Sequence, residues 1–373
     1  MTKSVNGHQI IQVFEEFSPK KLAMEGDPVG LHIGTLRKPI KKVMIALDVL
    51  DAVADEAISK GIDLIIAHHP LIYRPLKRLI TDEPGGRLIE KLIKNDIAVY
   101  TAHTNLDVAE GGVNDLLAEA LGLINPAVLV PTSEQRLKKL AVFVPEENAG
   151  EMYEALGKAG AGSIGDYSHC TFTSAGTGRF LPGEEANPHI GKPGELEIVD
   201  EVKIETVFPE HLETRVVSAM LKTHPYEEPA FDLYPLAVKG QELGLGRVGE
   251  LPREMSLEEF AAYVKEAFQV DGVRVVGNLD DRIKKVAVLG GDGNKYFAKA
   301  KMSGADVYVT GDFYYHTAHD ALNMGLNVVD PGHHIEQIMK QGIARKMQEL
   351  CSGRGYDVEF TASSLRTDPF IFM

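Results

Sequence analysis

A chain of 373 residues is long enough for two or three domains, and 44% hydrophobic with 25% charged residues is ordinary for a soluble globular protein. A formal net charge of −15 disfavours a general nucleic-acid binder, because phosphate affinity rests on Lys and Arg, yet it leaves room for a small anionic or nucleotide ligand held at a metal. No signal peptide or long apolar span is visible, so the expectation is a cytoplasmic chain with no membrane insertion. The two cysteines, Cys170 and Cys351, form no C-x-x-C, so a metal site must rest on His and carboxylates, which suit Zn, Fe, Mn or Co.

Residues 8–18 have helical spacing that stops at Ser18-Pro19. Asp27 to Leu31 reads as a turn entering a short strand that ends at Gly34. Val43 to Leu47 reads as a strand ending at Asp48, and 50–60 as a helix. Leu64 to Ala67 is an apolar run, read as a buried strand, that leads directly into His68-His69-Pro70. Neighbouring residues on a strand face opposite ways, so both imidazoles reach one cluster only if the chain turns at Pro70. Residues 86–95 read as a helix, Ile97 to Thr101 as a strand running into His103-Thr104-Asn105-Leu106-Asp107, and 113–121 as a helix. This alternation predicts a first α/β lobe with a mostly parallel sheet over residues 1–129.

The pattern changes near Pro131. Residues 137–144 read as a strand, 148–159 as a helix, 162–194 as a Gly/Ser/Thr-rich stretch and 195–208 as two short β runs. A helix at 210–221 and a strand at 230–236 follow, separated by His224-Pro225-Tyr226-Glu227-Glu228-Pro229. The order β-α-β-β-α-β is the ferredoxin-like pattern, so residues 130–240 are expected to be an inserted α+β domain.

From residue 283 the α/β pattern resumes, giving a second lobe within 241–373 that packs with the first. It repeats the first half. Ile40-Lys41-Lys42-Val43 recurs as Ile283-Lys284-Lys285-Val286, and Gly61-Ile62-Asp63-Leu64 recurs with the same spacing as Gly304-Ala305-Asp306-Val307. His68-His69 then falls opposite Gly311-Asp312. Val99 to Asp107 aligns with Val328 to Glu336, which sets Asp107 opposite Glu336 and Thr104 opposite His333. The fold class expected is two related α/β lobes with a crevice between them, interrupted by the insert.

Ligands in open α/β sheets sit beyond the carboxyl ends of strands. His68, His69 and Asp107 lie there in the first half, and His333 and Glu336 in the second. Positions i and i+3 share a face of a helical turn, so His333 and Glu336 can enter one site. Three histidines and two carboxylates exceed what one catalytic ion takes and suit two ions bridged by carboxylate. His334 is an alternative to His333, though His333 follows Gly332 directly at the strand exit. His103 is placed beside the site, Asp312 and His316 along the cleft as acid, base or supporting groups, Asp48 behind His68 or His69, and His319 on the surface. Gly244-x-Gly246-x-x-Gly249 and Gly160-x-Gly162-x-x-Gly165 fit a dinucleotide spacing without its strand-to-helix context. Leu289 to Asn294 reads as a tight turn with scope for anion contact through backbone amides.

Together, Leu64 to Pro70, His103 to Asp107 with Gly111-Gly112-Val113-Asn114, Thr310-Gly311-Asp312 and Asp330 to His334 resemble the Nif-three-like dinuclear metal family. Its members carry the name GTP cyclohydrolase 1 type 2 homologue. The resemblance implies two divalent metal ions per chain (Zn, Fe or Mn) held by His68, His69, Asp107, His333 and Glu336, and a toroidal homohexamer. Many members place the last Glu four residues after its His, where this chain has Gln337. The insert resembles the PII/CutA-like domain of longer members, and His224 to Pro229 looks like the corresponding CutA stretch, read as packing a trimer interface. Such domains tend to trimerise, so the ring would be a dimer of trimers. The function implied is a metal-dependent hydrolase of the GTP cyclohydrolase type. A metal-storing or regulatory ring and a DNA-binding ring are the alternatives.

Overall fold

The computed structural model describes residues 4–373. The chain divides into two compact units, Met1–Ser133 with Leu243–Met373, and Glu134–Glu242.

In the first unit the apolar runs build two large sheets, beside a short two-stranded one, Val5–Asn6 with Pro39–Ile40. One has the order Glu359–Ala362, Lys42–Ala46, Leu64–Ala67, Ala98–Thr101, Gly30–Ile33, parallel throughout except for the last strand. The other centres on three parallel strands, Arg282–Asp292, Val307–Gly311 and Asn327–Asp330. Arg274–Val276 flanks them antiparallel on one side and the later part of Phe231–Ser256 on the other. The last strand of the chain thus joins the sheet of the first half. Alternate strand residues face opposite ways. Val43, Ile45, Val286 and Val288 enter one core shared by both sheets, with the helices Gly7–Phe17, Val113–Ala120, Leu257–Phe268 and Ile338–Ser352. Met44 and Ala46 face a separate cluster under Asp51–Lys60 and Pro84–Lys94, and Ala287 and Leu289 a third. Burial on both faces explains why these strands read as continuous apolar runs.

The sequence repeat is a structural one. Val43 stands opposite Leu64 and Ile65 opposite Val99, while Val286 stands opposite Val307 and Tyr308 opposite Val328, the same positions in each copy. Asp63 Oδ2 accepts the amides of Lys41 and Lys42 at 2.7 and 2.9 Å, and Asp306 Oδ2 accepts those of Lys285 and Lys284 at 2.7 and 2.9 Å. The repeat also starts earlier than the matched sequence. Val5–Asn6 pairs with Pro39–Ile40 and leads into the helix Gly7–Phe17, as Met255 and Ser256 pair with Ile283 and Arg282 before Leu257–Phe268. Both helices open on a capping box, Asn6 with Gln9 and Ser256 with Glu259.

Two strands are far longer than expected. Ile124–Pro145 and Phe231–Ser256 each run from one unit into the other, so residues 130 and 240 fall inside strands instead of linkers. Gly244 and Gly246 lie within the second of these; a Cβ on Gly244 would meet Val130 O at 2.0 Å, so this glycine serves strand contact, not a phosphate loop.

The second unit keeps the chain order β-α-β-β-α-β. Its helices Ala149–Lys158 and Glu213–Thr223 cover one face through Leu140, Val142, Met152, Leu156, Ile204 and Val216. The membership differs from the expectation, because 195–208 is not two runs but one strand, Glu197–Pro209. Its antiparallel partner, Thr171–Phe180, comes from the Gly/Ser/Thr-rich stretch. That strand is largely exposed and carries no alternating apolar pattern, so only its ten-residue ladder with Glu197–Pro209 reveals it. His224 spends both ring nitrogens locally, against Phe143 O at 2.8 Å and the Tyr226 amide at 3.1 Å, which leaves none for a metal.

Asn114, buried between the two halves of the first unit, donates to Asp107 O and accepts the Gly290 amide, both at 3.0 Å. Asn114→Ala strands both backbone groups. We expect it to lower the unfolding free energy by about 2–4 kcal/mol, read as a drop in denaturant midpoint, with a change under about 0.5 kcal/mol refuting the assignment.

Candidate metal centre

The carboxyl ends of the parallel strands from both sheets meet at one place. Ala67 delivers His68 and His69. Thr101 leads through His103 into a one-turn helix, Thr104–Val108, that carries Asp107. Asp330 leads into the 3-10 turn His333–Gln337, which carries His333 and Glu336. The rings of His68 and His69 lie 5.1 Å apart and tilted by 40°, and both enter the cluster because the chain bends at these two residues, just before Pro70.

The cluster is built around Glu336 Oε2. His69 Nε2 lies 3.0 Å from it, His333 Nε2 3.2 Å and His68 Nε2 3.6 Å. Asp107 Oδ1 is 3.6 Å from His68 Nε2. Behind each ring, Nδ1 is already committed. His68 Nδ1 donates to Ala102 O at 3.0 Å, His69 Nδ1 to Asp48 Oδ1 at 2.6 Å, and His333 Nδ1 to Asp312 Oδ2 at 2.7 Å. Such outer acceptors fix tautomer and ring orientation and leave Nε2 as the inward atom.

Depth separates the groups. His68, Asp107 and Glu336 are buried, whereas the side chains of His69 and His333 are 24% and 37% exposed. His68 Nε2 and Asp107 Oδ1 are buried with no hydrogen-bond partner. Two such atoms facing one cluster are a poor hydrogen-bonded core and a good pair of metal donors. Burial works against charge on His69, but Asp48 and Glu336 overcome it and raise the imidazole to about 10. His333 is raised against burial to about 9 by Glu336 and Asp312. Burial, with repulsion from Glu336, pushes Asp107 up to about 6 against the pull of His68. Glu336 itself is held well below the usual range despite its burial, by His68 and the hydrogen-bonding His333 and His69 rings.

Glu336, not Gln337, is the acid that enters the cluster, and His333 enters while His334 turns away into a separate buried position. The backbone of Gly290 and Gly291 lies against Glu336; a Cβ on either would approach Oε1 to 3.0 or 2.9 Å. Here the strand bulges between Val288 and Asp292 and Gly291 takes φ +64°, so the expected tight turn is a bulge that makes room for the acid. His103 lies beside His68 and His69, its Nδ1 2.8 Å from Asp27 Oδ1. Asp312 stands behind His333 in a left-handed backbone conformation, φ +54°, with its carbonyl held by Asn294 Nδ2 at 2.8 Å. His316 and His319 are exposed on the helix Tyr315–Asn323, packed on the Tyr315 ring and outside the cluster. Sequence reasoning gave no role to Asp27, Asn114, Asn294 or Thr367, whose hydroxyl donates to Asp48 Oδ2. Asp27, Asn114 and Thr367 reach across 76, 176 and 319 positions and Asn294 across 18, and no local pattern announces them.

The comparisons with known proteins agree with this architecture. Residues 5–369 match the family described as Duf34/NIF3 (NGG1p interacting factor 3). A Bacillus subtilis protein named GTP cyclohydrolase 1 type 2 homolog is 61% identical over 373 residues, covering all of both chains. The crystal structure of a Bacillus cereus protein related to NIF3 superposes with a TM-score of 0.91 at 58% identity, again over all of both chains. That of Staphylococcus aureus protein SA1388 gives 0.72 at 33% identity over the same full coverage. A match of this extent, together with the shared fold, makes the chain a member of the DUF34/NIF3 family.

Proposed function

We propose that the protein is a dinuclear-metal hydrolase. The observation that carries this reading is the convergence of three Nε2 atoms on one buried carboxylate, each ring already tied through Nδ1. His68, Asp107 and Glu336 form one donor group and His69, His333 and Glu336 another, so Glu336 would be shared between two ions (Zn, Fe or Mn). Divalent ions bound there would acidify water and stabilise negative charge developing on a substrate.

The chain's own groups divide the remaining work. The buried group is closed to solvent, so substrate would enter beside the half-exposed His69 and His333. His103, fixed by Asp27 and next to both rings, is placed to move a proton; Asp312 orients His333 and is not free for that role. The relatives' name makes GTP the first substrate to assay, with attack at C8 of the guanine and release of formate. The β-α-β-β-α-β order of the second unit supports reading it as a PII/CutA-like insert, and the family resemblance supports a hexameric ring, which sedimentation would check.

Wild-type protein loaded with Zn, Mn or Fe should hold about two ions per chain by plasma mass spectrometry, and a His68→Ala/Asp107→Ala double variant should lose them. Absence of metal from both would end the reading. Formate release from GTP should disappear in His68→Ala; release that survives would make the cluster irrelevant to catalysis. His103→Ala should keep both ions and lose about 10²–10⁴-fold in turnover. Loss of metal instead would make His103 a ligand.

Protons compete with the ions. With His69 and His333 raised to about 10 and 9, both are charged at pH 7.5 in the ion-free protein. Binding should release two or more protons there, since Asp107 and Glu336 raise His68 as well against its burial, measured by calorimetry in buffers of different ionisation heat, and affinity should rise with pH. The sign reverses for ion-free stability. The contribution from these two rings is complete below the unfolded value of 6.5 and is lost as pH climbs through about 9–10. A stability flat from pH 6.5 to 10 after chelation would contradict it.

A further inference from the structure

We propose that Thr367 is a positioning residue of this centre, and that the segment 363–368 is a strap that holds the Asp48–His69 pair in line. The proposal rests on the dinuclear reading above. Asp48 has one donor on each oxygen, His69 Nδ1 on Oδ1 and the Thr367 hydroxyl on Oδ2. The first aims the ring at Glu336; the second stops the carboxylate from rotating away. Thr367 is not a loose tail residue. Ser363 donates its amide to Ile45 O at 2.8 Å. The Ser363 and Ser364 hydroxyls and the Ser364 amide bind the Glu56 carboxylate at 2.6, 2.7 and 2.9 Å. Leu365 O accepts Lys340 Nζ at 2.8 Å, and Arg366 bonds Asp271 and Asp368 at 3.0 and 3.1 Å. Burial works against charge on Glu56, but Lys60, with the Ser363 and Ser364 clamp, holds its carboxyl down to about 2.

His333 has a separate support, Asp312 locked by Asn294, and the buried group of His68, Asp107 and Glu336 uses neither. Removing the Thr367 hydroxyl therefore disturbs one ligand of the half-exposed ion and leaves the other ion alone. Outer-shell losses of this kind cost about 10–100-fold in metal affinity.

The test uses the full-length protein, loaded with Co(II) or Zn and dialysed against a graded chelator. Wild type and Thr367→Ser should keep about two ions per chain, and Thr367→Val about one, with a matching loss of part of the Co(II) absorption. The chelator-stripped Thr367→Val should melt within about 3 °C of wild type, the loss of one hydrogen bond, whereas general scaffolding would shift the midpoint further. Two ions held with wild-type affinity in Thr367→Val overturn the proposal and leave the dinuclear reading intact. Loss of both ions, or a stripped midpoint lowered by more than about 3 °C, also overturns it, for the strap would then be general scaffolding. Fewer than two ions in wild type overturns the dinuclear reading and this proposal with it.

Discussion

A carboxylate buried where two half-structures meet is the constraint from which the rest of the first unit follows. Glu336 is 3% exposed. Moving such a group out of water costs several kcal/mol unless positive charge is held against it. The chain meets that demand with imidazoles from three positions, His68, His69 and His333, and each imidazole needs an acceptor behind it. Asp48, Asp312 and the Ala102 carbonyl are those acceptors. Gly290 and Gly291 are required because a side chain there would occupy the space of the acid. The bulge at Gly290 and Gly291 and the acceptors behind the three rings all serve one charge placed in one buried seam.

The repeat explains how so many groups reach that seam. Equivalent strands in the two halves share their registers, and Asp63 and Asp306 tie equivalent strand starts in the same way. Their ends therefore project equivalent loops. The chemistry on those loops is not equivalent. The position of His69 in the first half is held by Asp312 in the second, which has become the acceptor behind an imidazole from the next loop. Each half thus places a carboxylate–imidazole pair on the Glu336 cluster, Asp48 with His69 and Asp312 with His333, built from different loops, and the first half adds Asp27 with His103 beside it. One scaffold used twice has diverged into a centre with a closed side and an open side.

Much of this was legible in the sequence because it depends on local signals. Apolar runs that end in His-His-Pro or in Asp-x-Gly-His mark strand exits, and a lysine pair and a glycine at fixed spacing mark the repeat. Glu336 followed from its i, i+3 spacing to His333, its match to Asp107 in the repeat and the family resemblance, and His333 over His334 from the strand exit. What was hidden depends on partners distant in the chain. Thr171–Phe180 is a strand only through its ladder, and its Gly-rich, exposed composition reads as loop. The long strands Ile124–Pro145 and Phe231–Ser256 are interrupted by Pro, Gly and charged residues that ordinarily end a strand. Asp27 and Thr367 act on His103 and Asp48 across 76 and 319 positions. No window along the chain could join them.

A donor set divided in this way would couple folding to metal binding. The first half offers His68, His69, His103 and Asp107, and the second His333 and Glu336; the two donor groups built on Glu336 each draw on both halves. The halves meet through the shared core, through Asn114, which joins the Asp107 loop to Gly290, and through the final strand Glu359–Ala362 beside Lys42–Ala46. An ion bound by donors from both halves would favour the docked state over any state in which the halves separate, since affinity for the native arrangement alone adds to its stability. The strap from 363 to 368 continues directly from that final strand. The same crossing of the chain that ties the halves together therefore also supports Asp48, so the pairing of the last strand and the alignment of His69 belong to one mechanical path.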